Sequence, residues 1–421
     1  MAPHGRRSTY LTRRRIMLAL IAAIAVMVLV ACTQRSDDEP ISEFEIADAP
    51  RAGNPAPTPE AEPTATELLE ATPEPTPAEA VEPSPTPEPE TESTQSDPTP
   101  APESEPDDPP LDLPDSADLA GMQHMYQTFN NCSAASVCML LSHYDVVFDQ
   151  ETLRPIMRPN DGTRHGKNEY MIGFIREQGF EAHLMHGGDV ETLQAFIAHD
   201  IPVIVQQWLE PASDPIGHYS VVRGYDDNAG VFRLNDSMHG QDFRISYEEF
   251  ISKWRAFSYR FIPVYPADQQ DIVDRILGEE TDLSVNRQRT IEMIQDELEQ
   301  RPDDAELIYS LGNNLHDLGR YEEAVEAYER ARSIGLPPKM LWYVYWPAEA
   351  YNELGRHQEA IQVAEEQIAS AQTFGDMRYE RARALEALGQ TDRAIAEYNQ
   401  ALRDDPRLDR AEDALDRLGA R

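Results

Sequence analysis

The sequence predicts an α+β domain followed by an all-α region of helical repeats, with an acidic, proline-rich tether in front of both. Three observations carry that expectation. Between residues 119 and 266, stretches of helical period give way to runs of strand period. Beyond residue 286, glycine and alanine recur at spacings of 36 and 34 residues. Of the 33 prolines, 20 lie between Pro40 and Pro114.

A chain of 421 residues has room for roughly two to three domains. Its net charge of −40 argues against a nucleic-acid partner, because neutralising phosphates needs a basic surface. The charge is uneven: +6 over residues 1–35, −23 over 36–118 and −23 over the rest. Three cysteines exclude a disulfide scaffold, and a single long apolar run excludes a polytopic membrane protein.

That run, Ile16 to Ala31, is uncharged and 16 residues long, behind the basic cluster Arg6, Arg7, Arg13, Arg14 and Arg15. It is short for a membrane span and suits the apolar part of a signal segment. It ends in Leu29-Val30-Ala31-Cys32, which resembles the bacterial lipobox. The resemblance implies cleavage after residue 31 and lipid attachment at Cys32. An uncleaved anchor helix is the other reading, and both place the rest of the chain outside the cytoplasm. Residues 32–117 offer almost nothing to bury, so ordering them would not offset the entropy lost. Proline and like charge both extend such a segment, to on the order of 200 Å at about 3 Å per residue. It reads as a spacer from the lipid surface, with a peptide-recognition tract as the alternative.

Residues 118–267 hold the chemistry. After Cys132, Val137, Leu140, Leu141 and Tyr144 fall on one helical face, and Asn130 and Asn131 sit where an N-cap belongs. Cys132 therefore opens a helix, where unpaired N–H groups and the dipole favour a thiolate. Further helices are expected over 168–179, 190–200 and 246–254. Strands are expected over 201–208, 218–227, 230–237 and 259–265. A nucleophile needs a base, the base an orienter, and the developing oxyanion a donor. His218 opens a strand 86 residues after Cys132, Asp236 ends the next strand, and Gln127 lies five residues before the cysteine. Adjacent antiparallel strands would bring Asp236 beside His218.

At Gln127…Asn130-Asn131-Cys132, Gly217-His218-Tyr219-Ser220-Val221-Val222-Arg223-Gly224-Tyr225-Asp226 and Asn235-Asp236-Ser237, the chain resembles the C39-like, papain-fold cysteine peptidases. The resemblance implies a Cys132 thiolate, His218 as base and then acid, Asp236 orienting the imidazole, and Gln127 in the oxyanion hole. It implies hydrolysis of a peptide or amide bond through a thioester. Where the family has Gly-Pro after its cysteine, this chain has Ser133-Ala134, which are also small. No segment resembles the ATP-binding exporter of the bacteriocin-processing members, which argues against leader-peptide processing.

Several residues have plainer readings. Cys138 reads as a small buried hydrophobe, since about 9 Å of helical rise puts it beyond disulfide reach of Cys132. Asn235 is the alternative orienter, but alternation with Phe232 and Leu234 favours Asp236. His183 and His186 would offer two metal ligands with no third nearby, and His143, His165 and His239 are scattered, so no metal and no cofactor is expected. Trp208 and Tyr219 read as core or cleft residues.

Residues 286–421 repeat. Segments 318–331, 354–367 and 388–401 align, with Gly319, Gly355 and Gly389 in register and Ala324, Ala360 and Ala394 likewise. The small residues Gly312, Ala348 and Ala382 precede each alanine by twelve positions. The pattern resembles the tetratricopeptide repeat, which implies a groove for a peptide or protein partner. Pro347 would kink a first helix or delay its start. Trp342, Tyr343, Tyr345 and Trp346 read as groove or as core.

Together these readings describe a lipid-anchored, extracytoplasmic cysteine peptidase with repeats for substrate or partner capture. A catalytically inactive papain-like scaffold and a papain-fold acyl or amide transferase remain as rivals.

Overall fold

The computed structural model describes residues 111–421, apart from 159, 161, 164–165, 210–214 and 372. The signal segment, Cys32, the tether as far as residue 110, and His165 lie outside the described residues.

An α+β domain with an antiparallel sheet comes first. Its first helix, α1 (Cys132–Leu141), follows the short strand β1 (Ser116–Asp118). After α2 (Gln150–Met157), α3 (Asn168–Glu177), the two-residue β2 (Glu181–Ala182) and α4 (Val190–Ala198), the chain turns to strands. These are β3 (Val203–Leu209), β4 (Ile216–Asp226), β5 (Val231–Asp236) and β6 (Gly240–Ser246). Helix α5 (Tyr247–Trp254) and strand β7 (Phe261–Tyr265) close the layer. The sheet order is β2-β7-β3-β4-β5-β6, with β1 alongside β4. Every pairing between these strands is antiparallel.

Helix α1 departs from the amphipathic pattern expected of it: Ser133 through Leu141 are all buried. The small residues Ser133, Ala134, Ala135 and Ser136 let its first turns pack against β4. The Ser136 hydroxyl keeps its hydrogen bond there by donating to the Tyr219 carbonyl at 2.9 Å. The expected N-cap also needs correction. Asn131 holds the cap position, but its side chain makes no cap hydrogen bond. Its amide instead donates to Gln150 Oε1 at 3.1 Å. Asn130 sits at φ 55°, in the left-handed region.

After α6 (Gln270–Leu277), the helices α7 (Leu283–Gln300), α8 (Ala305–Asp317) and α9 (Tyr321–Ile334) begin the helical region. It continues through α10 (Trp346–Glu353), α11 (His357–Ala371), α12 (Gly375–Ala387), α13 (Thr391–Asp404) and α14 (Asp409–Arg417). Gly319, Gly355 and Gly389 each take positive φ (71°, 69° and 73°) at the end of a first helix, which is why the repeat returns to glycine there. Helix α10 starts late, with Pro347 in its first turn, where a missing N–H is tolerated. It has 8 residues against 13 in α8 and α12, and a 3₁₀ turn, Pro338–Trp342, precedes it.

One apolar cluster runs from Leu119 in the α+β domain through Ala384 in the repeats. The last helices, from Ala382 to Leu415, form a second.

Candidate active site

Three local structures converge on the mouth of α1. The helix start delivers Cys132. The central strand β4 delivers His218, which is buried. Strand β5 pairs with β4 in the register Val221↔Asn235, so the next residue, Asp236, arrives at the level of Ser220, two positions along from His218. His218 Nε2 lies 2.9 Å from Asp236 Oδ2, which leaves Nδ1 for sulfur. Cys132 and His218 line the same cavity, and each shifts the other's pKa through hydrogen bonding and charge. The neighbour Asn235 faces away, its amide reaching the Gln123 carbonyl at 3.4 Å.

Asp236 is wholly buried and well supplied with donors. Its Oδ2 also accepts from the Ser220 hydroxyl at 2.6 Å. Its Oδ1 accepts the backbone N–H groups of Met238 and His239, both at 2.8 Å. Burial raises its pKa, but the His218 bond and charge, with the Ser220 and His239 bonds, outweigh that and hold the carboxyl well below the usual range. For His218, burial lowers the pKa. The bonds to Asp236 and Cys132, with the charges on both, outweigh it and push the ring up to about 10. For Cys132, burial raises the pKa. The bond and charge of His218, and the N–H groups of Tyr219 and Ser133, outweigh it and bring the thiol below its usual 9.0. These directions agree on a thiolate beside an imidazolium.

The side-chain cap that α1 lacks matters here. A capping oxygen would compete for first-turn N–H groups, and one of them, on Ser133, instead helps lower the Cys132 pKa. Gln127 lines the same cavity as Cys132. Its backbone N–H donates to the Ser237 carbonyl at 3.0 Å. The Ser237 hydroxyl donates to Gln127 Oε1 at 2.8 Å, which engages the amide oxygen and leaves the nitrogen as the donor end. The cavity is about 330 Å³. A second, of about 400 Å³, lies between Tyr219, Arg260 and the 343–346 segment; it is larger but has neither Cys132 nor His218 on its walls.

Sequence reasoning assigned three contributors no part in this site. Ser220 lies two residues along the same strand from His218 and so on its face, which is signal enough to include it. Tyr343 and Trp342 read as groove or core of the repeats, with nothing in the sequence to tie them to His218. The Tyr343 hydroxyl accepts the N–H of Gly217, the residue before His218, at 2.7 Å, across 126 positions of sequence. A Cβ at 217 would sit 2.8 Å from the Tyr343 ring, so only glycine fits. The remaining candidates are structural. Cys138 is buried and unbridged, its thiol pushed up to about 12 by burial. His186 is buried against Asn314 at 2.6 Å, while His183 lies beside Arg176, so the two do not share a site. Trp208 is core, its Nε1 donating to Glu306 at 3.0 Å.

Residues 119–262 match the model described as the Peptidase_C39 like family, and residues 305–334 and 375–407 match tetratricopeptide-repeat models. The chain carries a C39-like peptidase domain followed by tetratricopeptide repeats. Among solved structures, the C39-like domain is similar to the peptidase domain of Streptococcus ComA, a bifunctional ABC transporter in a quorum-sensing pathway. That match has 20% identity over 35% of this chain and 98% of that one, with a TM-score of 0.28. It is also similar to a double glycine motif protease from an AMS/PCAT transporter in complex with its leader peptide. There the identity is 19% over 36% and 99%, with a TM-score of 0.28. The chain is similar as well to MamA, at 21% identity over 34% and 86%, with a TM-score of 0.30. Likeness at this level says nothing of activity. No curated protein matches the chain.

Proposed function

We propose that this protein is a cysteine peptidase that hydrolyses peptide or amide bonds through Cys132, His218 and Asp236. The observation that carries this is His218 bonded to the buried Asp236 carboxylate on the same cavity as Cys132, with the thiol pKa lowered and the imidazole pKa raised. The thiolate attacks the carbonyl carbon. The oxyanion takes hydrogen bonds from the Gln127 amide and the Cys132 backbone N–H. The imidazolium proton on Nδ1 passes to the leaving amine, whose C–N bond breaks to leave a thioester. His218, now neutral, takes a proton from water as the water attacks the thioester. A second tetrahedral oxyanion collapses, releases the acid and returns the ion pair. Asp236 holds Nε2–H throughout, which keeps the ring in the tautomer that serves sulfur.

The test is an activity-based probe for cysteine hydrolases applied to the wild type and to Cys132→Ala. Labelling at Cys132 that needs His218 supports the reading. No labelling of the wild type, together with an iodoacetamide rate no faster than that of a model thiol at pH 6–7, overturns it and leaves an adaptor.

Sequence alone supports two companion proposals. The catalytic span is 118–267 and the repeats, 286–421, bind a protein or peptide partner. Cys32 carries lipid, residues 32–117 space the folded part from the membrane, and the protein works outside the cytoplasm. Detergent partitioning of the wild type against Cys32→Ser tests the anchor; equal partitioning would refute it.

A further inference from the structure

We infer that the repeat region builds the wall of the cysteine cleft that selects its substrate: Trp342 receives a large apolar side chain adjacent to the scissile bond. This rests on Cys132 being the nucleophile and adds a substrate class to that reading.

Three parts of the chain form the cavity around Cys132 and His218. The segment before α1 contributes Phe129, the β3–β4 ends contribute Leu209 and Ile216, and the 3₁₀ turn of the repeats contributes Trp342. Trp342 is held at both ends. Its Nε1–H donates to Ser370 Oγ on α11 at 2.7 Å, which fixes the ring. The next residue, Tyr343, binds the backbone of Gly217 and packs edge-on to Phe257 and Trp208, with centroids 5.5 and 6.2 Å away. The wall is thus tied to the strand that carries His218. This happens where the repeat departs from its own pattern, in the turn before the shortened helix α10.

The rim carries apolar side chains that the fold leaves unburied. Phe129 is 80% exposed and Met238 50%, and both line this cavity. Large apolar groups facing water around a concave site mark a surface that gains by being covered. Among the described residues lining the cavity there is no Asp, Glu, Lys or Arg, in a chain where those make up 27%. A charged substrate side chain would lose hydration against this wall, whereas an apolar one leaves water for an aromatic surface.

The experiment uses the full chain and a set of peptidyl acyloxymethyl ketones, which alkylate an active-site thiolate. They differ only in the side chain next to the reactive carbon: Ala, Leu, Phe, Lys or Glu. Inactivation rates are read from the mass of the Cys132 adduct and normalised to labelling by iodoacetamide, which has no side chain to place. The Leu and Phe probes should react at least about 10-fold faster than the Ala, Lys and Glu probes. In Trp342→Ala that preference should fall to within about 3-fold. In Trp342→Glu the Lys probe should overtake the Leu probe, a gain that misfolding does not produce. Equal rates across the wild-type set, or an apolar preference that survives both substitutions, overturn the proposal. A wild type that iodoacetamide labels no faster than a model thiol refutes the nucleophile itself, which is a separate outcome.

Discussion

Replacing Asp236 by Asn tests the ion pair most directly, because the structure says which hydrogen bonds survive. The new amide oxygen would still accept the N–H groups of Met238 and His239. Its NH₂ would take the place of Oδ2 and meet two donors, His218 Nε2–H and the Ser220 hydroxyl. To remove the donor–donor clash, the imidazole must move its proton to Nδ1, the nitrogen that faces sulfur, and then it cannot take the thiol proton. The substitution also deletes a charge-assisted hydrogen bond worth about 1.5–3 kcal/mol, which is a factor of about 10 to 150 in ion-pair population. The assay is iodoacetamide alkylation of Cys132 against pH. The wild-type rate should already be high below pH 9, because the thiol is depressed, and the ion pair should persist until His218 deprotonates near pH 10. Asp236→Asn should alkylate about 10- to 150-fold more slowly at pH 7 and converge on wild type above about pH 9, where an ordinary thiol ionises unaided. Superimposable profiles would refute the reasoning. Stability gives a second readout with a definite sign. A carboxyl depressed in the folded state adds stability that is present above its ordinary 3.8 and is lost as pH falls through the folded value. The melting difference between wild type and variant should therefore shrink below pH 4.

Three further outcomes are expected. Cys132→Ala should abolish turnover while moving the melt by no more than about 2–4 °C, since a small, partly exposed side chain is lost; calorimetry checks it, and collapse of the fold would make the cysteine structural. Gln127→Ala should lower kcat about 100- to 1,000-fold with KM little changed, read by steady-state kinetics on any substrate the probe work identifies. Gly312→Ala should destabilise the protein by about 1–3 kcal/mol, because the added Cβ would stand 2.6 Å from the Tyr328 ring. A double-mutant cycle with Tyr328→Leu should recover part of that loss, and simple additivity would refute the contact.

What was legible in the sequence followed the range over which each signal acts. Strands β4 and β5 and the helices from α7 onward announce themselves through period and spacing. Cys132 and His218 stood out as scarce residue types at the start of readable elements, and Asp236 by its place at the end of the next strand; the structure bonds Asp236 to His218 and sets Cys132 on the same cavity. Strand β6 was missed because GQDFRIS lies largely half-exposed at the sheet edge and shows little alternation. Helix α2 was missed because Pro155 sits inside it. The capping role given to Asn131 failed because Gln150, on a helix not foreseen, claims its amide. The Tyr343–Gly217 bond was beyond reach, since periodicity is a local property and this contact joins two regions that were read separately.

The continuity of apolar packing from Leu119 to Ala384 bears on how the molecule is made. A ribosome delivers the thiol and imidazole long before it delivers the turn that completes their cleft. Until Tyr343 has been synthesised, the Gly217 N–H lacks its acceptor, and until Trp342 is in place one side of the cleft stands open. A nascent or prematurely terminated chain therefore holds Cys132, His218 and Asp236 without the finished enclosure, and completion of the cleft waits on translation well past the segment that encodes them.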